Sequence, residues 1–266
     1  MPREDFYFQQ TVSLRHGRKW KNMRNLRLDI CYDGTRYKGW QRLSGTDNTI
    51  QGKLESVLSR LLDEPVEVSA SGRTDAGTHA KGQVVSFRCD NTMPCDRILE
   101  GLRMYLPEDI GVYRCCEASQ RFHARLNALE KTYCYRLWNG EAPCVFDRKY
   151  VHIDRSAMDV QAMHTAAQMY LGTHDFSAFC GNKNMKKSTV RAIKSFTVEQ
   201  KENEILFTVT GNVFLQHMVR IMVGTLLEVG KGERKPETIL ELFGAKRSLA
   251  GPAVPASGLC LMEVFY

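Results

Sequence analysis

A chain of 266 residues, 43% hydrophobic and 25% charged, has ordinary globular composition, which excludes a disordered or fibrous protein. It is long enough for one large domain or two of about 100–150 residues, with a core that needs no staples. The net charge of +7 is compatible with a polyanionic partner, although a solvated basic surface accounts for it equally well.

Residues 1–24 lack periodicity and carry Arg3, Arg15, Arg18, Lys19, Lys21 and Arg24 against Glu4 and Asp5, so they read as a basic extension. They hold no apolar stretch of the kind a secretory signal needs, and Glu4 and Asp5 argue against a mitochondrial presequence. Residues 26–32 alternate as a strand and end in the Asp33-Gly34-Thr35 turn. Ile50, Leu54, Val57, Leu58 and Leu61 fall at helical spacing and predict a helix over 50–62. Residues 66–70 read as a strand, 71–79 as a glycine-bearing loop, and 83–87 as another strand. Ile98, Leu99, Leu102 and Leu106 predict a second helix that stops before Pro107, followed by a strand over 110–116.

The second half repeats this order without a residue-level repeat. A strand is predicted over 131–138 and a helix over 158–171, closed by Gly172. Two strands over 189–199 and 204–211 flank a polar turn as a hairpin. A helix is predicted over 214–229, with Pro236 in the first turn of the next, and a final strand over 258–266. Strands and helices mixed with hairpins imply an α+β fold with antiparallel sheets. The longest apolar run, 213–229, is broken by Gln216, His217 and Arg220, so no membrane span is expected.

Three segments carry candidate chemistry. The loop Gly72-Arg73-Thr74-Asp75-Ala76-Gly77 frames a carboxylate between glycines beside an arginine. An arginine close to Asp75 would keep it ionised, as a nucleophile requires. An Asx-turn or helix cap explains the same residues on local chemistry alone. Arg220 lies in an otherwise apolar helical segment and shares a predicted face with Gln216. Either it has a carboxylate partner or its stem lies on the core with its head in water. In the strand Lys131-Thr132-Tyr133-Cys134-Tyr135-Arg136, Tyr133 and Tyr135 share one face with Lys131 behind them; this suits base stacking or two core tyrosines. Residues 224–232 only approximate a phosphate-binding loop: five residues separate Gly224 from Gly230, and Gly232 stands where Ser or Thr is required. The nine cysteines are odd in number and lack C-x-x-C spacing, so reduced thiols are expected. No metal-ligand cluster is present in the sequence pattern, and His79, His123 and His217 read as structural.

Together these segments resemble the tRNA pseudouridine synthase A family from about residue 26 to residue 266. The matching residues include Tyr32-Asp33-Gly34-Thr35, Gly39-Trp40-Gln41, the 72–77 loop, Gly82-Gln83-Val84-Val85, Phe122-His123-Ala124-Arg125, Tyr133, residues 212–224 and Gly258-Leu259-Cys260-Leu261. The resemblance implies two ferredoxin-like halves, 25–126 and 127–266, whose antiparallel sheets join around a central catalytic cleft with helices on the outer face. It implies a cytoplasmic homodimer that isomerises uridines 38, 39 and 40 of the tRNA anticodon stem-loop without cofactor or metal. Asp75 matches the nucleophile and Tyr133 the tyrosine that stacks on the target base. Arg73 and Arg220 match arginines that pair with the aspartate and help extrude the base. Leu261 matches an apolar residue of the pocket. Thr78 departs from the apolar β-branched residue usual there, and residues 1–24 extend past the usual start.

Two rivals compete with this reading. A binding module of the same fold has no need of an ionised aspartate facing RNA. A glycoside-type hydrolase needs a second carboxylate flanking the bond, and none accompanies these motifs.

Overall fold

The computed structural model describes residues 23–182 and 184–266. The basic extension assigned to 1–24 lies outside the described residues except at its end, where Arg24 already belongs to the first strand. The strands are β1 (Arg24–Tyr32), β2 (Val68–Ala70), β3 (His79–Cys89), β4 (Ile110–Glu117), β5 (Glu130–Trp138), β6 (His152–Ile153), β7 (Gly172–Asp175), β8 (Val190–Lys201), β9 (Glu204–Gly211) and β10 (Leu259–Phe265). The α-helices are α1 (Ile50–Leu62), α2 (Cys95–Tyr105), α3 (Val160–Gln168) and α4 (Met218–Gly230), with 3-10 segments at Ser177–Phe179 before α4 and at Pro236–Leu242, Arg247–Leu249 and Ala256–Gly258 after it. The fold is α+β, as the sequence pattern implies.

The helices begin where local chemistry allows. The Thr49 side chain accepts from the amide of Gly52 to start α1, and Asp159 accepts from that of Ala162 to start α3. Asp63, in the left-handed region at φ 53°, closes α1. On α1, Ile50, Leu54 and Leu58 of the predicted stripe are buried, joined by Leu62, while Val57 and Leu61 are partly buried at its edge.

The strands form one sheet in the order β4-β1-β3-β10-β5-β9-β8-β7, with β2 added to β3 and β6 to β5. Pairing is antiparallel except at β3–β10 and β5–β6. The parallel joint at the centre is short: Cys260 pairs with His79 and Leu261 with Ala80. Alternation does not reveal such a joint, through which β1–β4 and β5–β9 become parts of a single continuous sheet. β3 also starts four residues earlier than its apolar pattern suggests. Gly82 makes this extension sterically feasible, because a Cβ there would lie 2.3 Å from the carbonyl oxygen of Met262 on β10. Leu28, Ile30 and Tyr32 on β1, Lys131, Tyr133, Tyr135 and Leu137 on β5, and Ile205, Phe207 and Val209 on β9 are the buried alternate positions. Helix α2 packs on β4, α3 on β8, and α4 on α3 and β5.

Helix α4 corrects the sequence reading. It starts at Met218 and not at 214, because His217 takes a left-handed conformation, φ 59°, that breaks helical continuity. Gln216 therefore lies in the preceding loop, where its carbonyl accepts from the amide of Gly181, and it shares no helix face with Arg220. The nine cysteines are all unpaired, as expected. Among the described residues no helix is long and apolar enough to cross a membrane.

Candidate active site

The aspartate loop hangs between β2 and β3 and is fixed mostly through its backbone. The Ser71 amide donates to the carbonyl of Val84 at 2.8 Å. Gln83, fully buried on β3, accepts from the Ser71 hydroxyl at 2.6 Å and donates to the Gly72 carbonyl at 2.9 Å. The Thr74 hydroxyl meets the buried Tyr32 hydroxyl at 2.9 Å, and the Trp40 amide donates to the Thr74 carbonyl at 3.1 Å. The Thr78 amide closes the turn onto the Asp75 carbonyl at 3.1 Å, and Gly77 follows at φ 77°. A loop satisfied in this way holds its one carboxylate without a flexible search.

The Asp75 Oδ2 atom lies 3.1 Å from Nη1 of Arg220 and 3.6 Å from Nε2 of His217. The Arg220 Nε donates to the carbonyl of Val254 at 2.7 Å, so one planar guanidinium is fixed at two edges and aimed at the carboxylate. The arginine that pairs with Asp75 is thus Arg220, from 145 residues along the chain. Arg73 is exposed on the cleft wall and has no hydrogen-bond or ion-pair partner among the described residues. Its neighbour Thr74 turns inward, and the loop path sends the Arg73 side chain outward.

These groups face a cleft of about 760 Å³ between the loop, β5, the segments around 180–191 and 213–219, and the start of β10. Tyr133 lies in its wall, only 8% exposed, with its ring meeting the edge of Phe214 at 5.1 Å and 79°. Burial raises the Tyr133 phenol above its ordinary range, and nearby Tyr32 and Asp75 push it the same way, so it is neutral at physiological pH. Leu261 is fully buried on β10, directly opposite Tyr133 and Ala80 in the sheet. It backs the tyrosine, while Leu259 is the β10 side chain that lines the cleft.

Two further groups, both noted in the sequence but given no role beside Asp75, belong to this site. His217 reads there as structural, yet it reaches Asp75; only the tertiary approach of the 212–217 loop reveals this. Lys131, two residues before Tyr133 on the same buried face, is 7% exposed and donates to the Ser71 carbonyl at 2.6 Å. Strand alternation gave the signal that it faces the cleft. The other two histidines make backbone contacts. His79 is buried, accepts from the Gly34 amide at 3.1 Å and has its pKa lowered by burial against the opposing pull of Asp33. His123 accepts from the Arg125 amide at 3.1 Å. No group of three or more His, Cys, Asp or Glu side chains among the described residues is placed to hold a metal.

The family model described as tRNA pseudouridine synthase matches residues 30–127 and 166–266. The chain is 46% identical over 246 residues to tRNA pseudouridine synthase A of Bacillus sp. (strain KSM-64), covering 92% of this chain and all of that one. It is 43% identical to tRNA pseudouridine synthase A 2 of Bacillus anthracis, over 91% of this chain and 99% of the relative. It is 44% identical to tRNA pseudouridine synthase A 1 of Clostridium tetani, over 92% and 100%. A family match that takes in both the aspartate loop and Arg220, with relatives aligned along essentially their whole length, settles the kind of enzyme: this chain is an isomerase of the tRNA pseudouridine synthase family.

Proposed function

We propose that the chain converts uridine to pseudouridine at positions 38, 39 and 40 of the tRNA anticodon stem-loop, with Asp75 as nucleophile. The observation that carries this reading is the Asp75–Arg220 ion pair at 3.1 Å, set in a cleft whose wall is Tyr133. In the reaction the C1′–N1 bond breaks and a C1′–C5 bond forms, the C5 proton leaves and N1 gains a proton. The balance needs no oxidant, nucleotide or metal. It needs a carboxylate held beside the sugar or ring, which the anchored loop supplies, and a base taken out of its stack. Arg73, exposed at the cleft wall, is suited to occupy the space the base leaves. Tyr133 is suited to stack on the extruded ring, with Leu261 supporting it from β10.

The same reading takes residues 25–126 and 127–266 as two ferredoxin-like halves meeting at β3–β10, which the strand order supports. It takes the enzyme as a cytoplasmic homodimer that grips one tRNA with both subunits. Tritium release from tRNA carrying [5-³H]uridine tests the chemistry. Wild type is expected to release label, and Asp75→Asn is expected to bind tRNA and release none. Turnover by the purified Asp75→Asn enzyme removes Asp75 from the mechanism. Substrates with uridine replaced by cytidine at 38, 39 or 40 test the positions, and full release from the triple replacement overturns them.

A further inference from the structure

Lys131 is a buried cation without a counter-ion. Its Nζ has one partner among the described residues, the Ser71 carbonyl at 2.6 Å, and no carboxylate forms an ion pair with it. An ammonium has three donors, so two are left over in a side chain only 7% exposed, on the wall of the cleft. Nζ lies at the base of the aspartate loop: a Cβ placed on Gly72 would sit 3.2 Å from it and 3.6 Å from the Tyr133 hydroxyl. A second cation, Arg125, lines the same cleft, and its side chain also lacks a partner among the described residues. Two like charges on one cleft wall repel, the charge of Arg125 disfavouring the Lys131 ammonium, and an anion bound to both relieves that repulsion.

We infer that Lys131 and Arg125 form an anion subsite that takes a phosphodiester group flanking the extruded uridine. The inference rests on the RNA-modifying reading above and adds a binding role to a part of the cleft that the aspartate, arginine and tyrosine do not use. The Lys131–Ser71 contact then has a second effect: the group that holds the phosphate also holds the root of the aspartate loop.

The subsite has a pH signature. Burial, followed by the charge of Arg125, lowers the Lys131 ammonium to about 8. A bound phosphate favours the charged form and raises that value in the complex. Affinity is therefore greatest below about pH 8 and falls as pH rises through that value. The other charged or titratable groups on the cleft wall are Arg73, Asp75, Tyr133, Cys180, Lys187, Arg191 and His217. The sheet neighbours directly opposite Lys131 are Gly211 on β9 and Val264 on β10, which do not titrate.

The test is the dissociation constant of a fluorescein-labelled anticodon stem-loop RNA at constant ionic strength, measured between about pH 7 and about pH 8.5. Wild type is expected to bind about fourfold more weakly at the upper pH. Lys131→Arg, which keeps a cation that does not titrate, is expected to be flat with pH and to bind with near wild-type strength. Lys131→Met is expected to be flat and weaker by about tenfold, the order of one lost charge-assisted contact. An RNA with methylphosphonate linkages on both sides of position 39 is expected to flatten the wild-type curve. Wild-type binding that is flat, or a slope that survives in Lys131→Arg or with the methylphosphonate RNA, overturns the subsite. Absence of pseudouridine formation by wild type on the full tRNA strikes instead at the reading on which the subsite rests.

Discussion

Arg220 is the residue on which most of the site geometry turns, since it touches both Asp75 and the Val254 carbonyl. Replacing it by methionine leaves a partly buried carboxylate with only His217 at 3.6 Å. Loss of one partner of a fully buried pair costs about 3–5 kcal/mol, and somewhat less here because Asp75 is only partly buried. Arg220→Met is expected to melt several degrees lower and to lose about 100-fold or more in kcat/KM, with tRNA binding little changed; calorimetry and single-turnover kinetics check this. Tyr133→Phe separates stacking from proton chemistry. The wild-type phenol is neutral because burial raises it, so at rest it holds a proton and does not accept one. The ring can still stack, and we expect tRNA affinity to persist while the single-turnover rate falls about 100-fold. An unchanged rate would show that the ring alone matters. Lys131 gives a stability test with a definite sign. Its folded value of about 8 lies below the ordinary 10.5, so its charged form burdens the fold fully below pH 8, and that burden fades as pH rises toward 10.5. The melting temperature of wild type relative to Lys131→Met is therefore expected to rise between pH 7 and pH 10.

At the scale of elements, what was legible depended on periodicity. Strand β5 and helix α1 follow their alternation and stripe closely, because both bury one face and expose little else. The apolar spacing starts helix α4 at 214 because Phe214 and Leu215 continue its apolar faces, and such spacing does not report a left-handed residue such as His217. The cost of that error was local: it gave Arg220 a false neighbour in Gln216 and hid the approach of His217 to Asp75. The correct partner for Arg220 was open to inference only in kind, as some carboxylate, since an ion pair spanning 145 residues leaves no local trace. Gly224 on α4 provides a test of how this helix aims Arg220. A Cβ there would lie 1.9 Å from the Pro252 carbonyl oxygen, so Gly224→Ala must displace the segment that leads to Val254. We expect it to destabilise the protein by about 3 kcal/mol or more and to reduce kcat beyond what the folded fraction explains. Circular dichroism melts alongside single-turnover rates at low temperature would show both effects. A rate that tracks only the folded fraction would detach the 252–254 segment from catalysis.

For the whole molecule, α+β architecture and the resemblance of the aspartate loop could be read from the sequence, whereas the parallel joint between β3 and β10 could not. Two residue pairs make the parallel β3–β10 register, and nothing in the alternation of either strand marks its partner. The reaction itself sets one global expectation. Bond exchange within a single nucleotide is balanced without a metal or a second substrate, so activity is expected to survive exhaustive EDTA treatment and to need no added nucleotide. Tritium release before and after chelation checks this, and a loss reversed by a transition metal would contradict it.

Strand β10 has a consequence for biosynthesis. It occupies the middle of the sheet, between the strand that begins at the aspartate loop and the strand that bears Tyr133, yet it is translated after all of them. While the ribosome is still making residues before Leu259, the nascent chain carries β3 and β5 with their inner edges unmatched. Unmatched edges recruit other strands, and pairings across such sequence distances form slowly. Newly made chains should therefore be most prone to aggregation in the interval before β10 emerges, and a chain stalled there would hold Asp75 and Tyr133 without the strand that joins their two parts of the sheet.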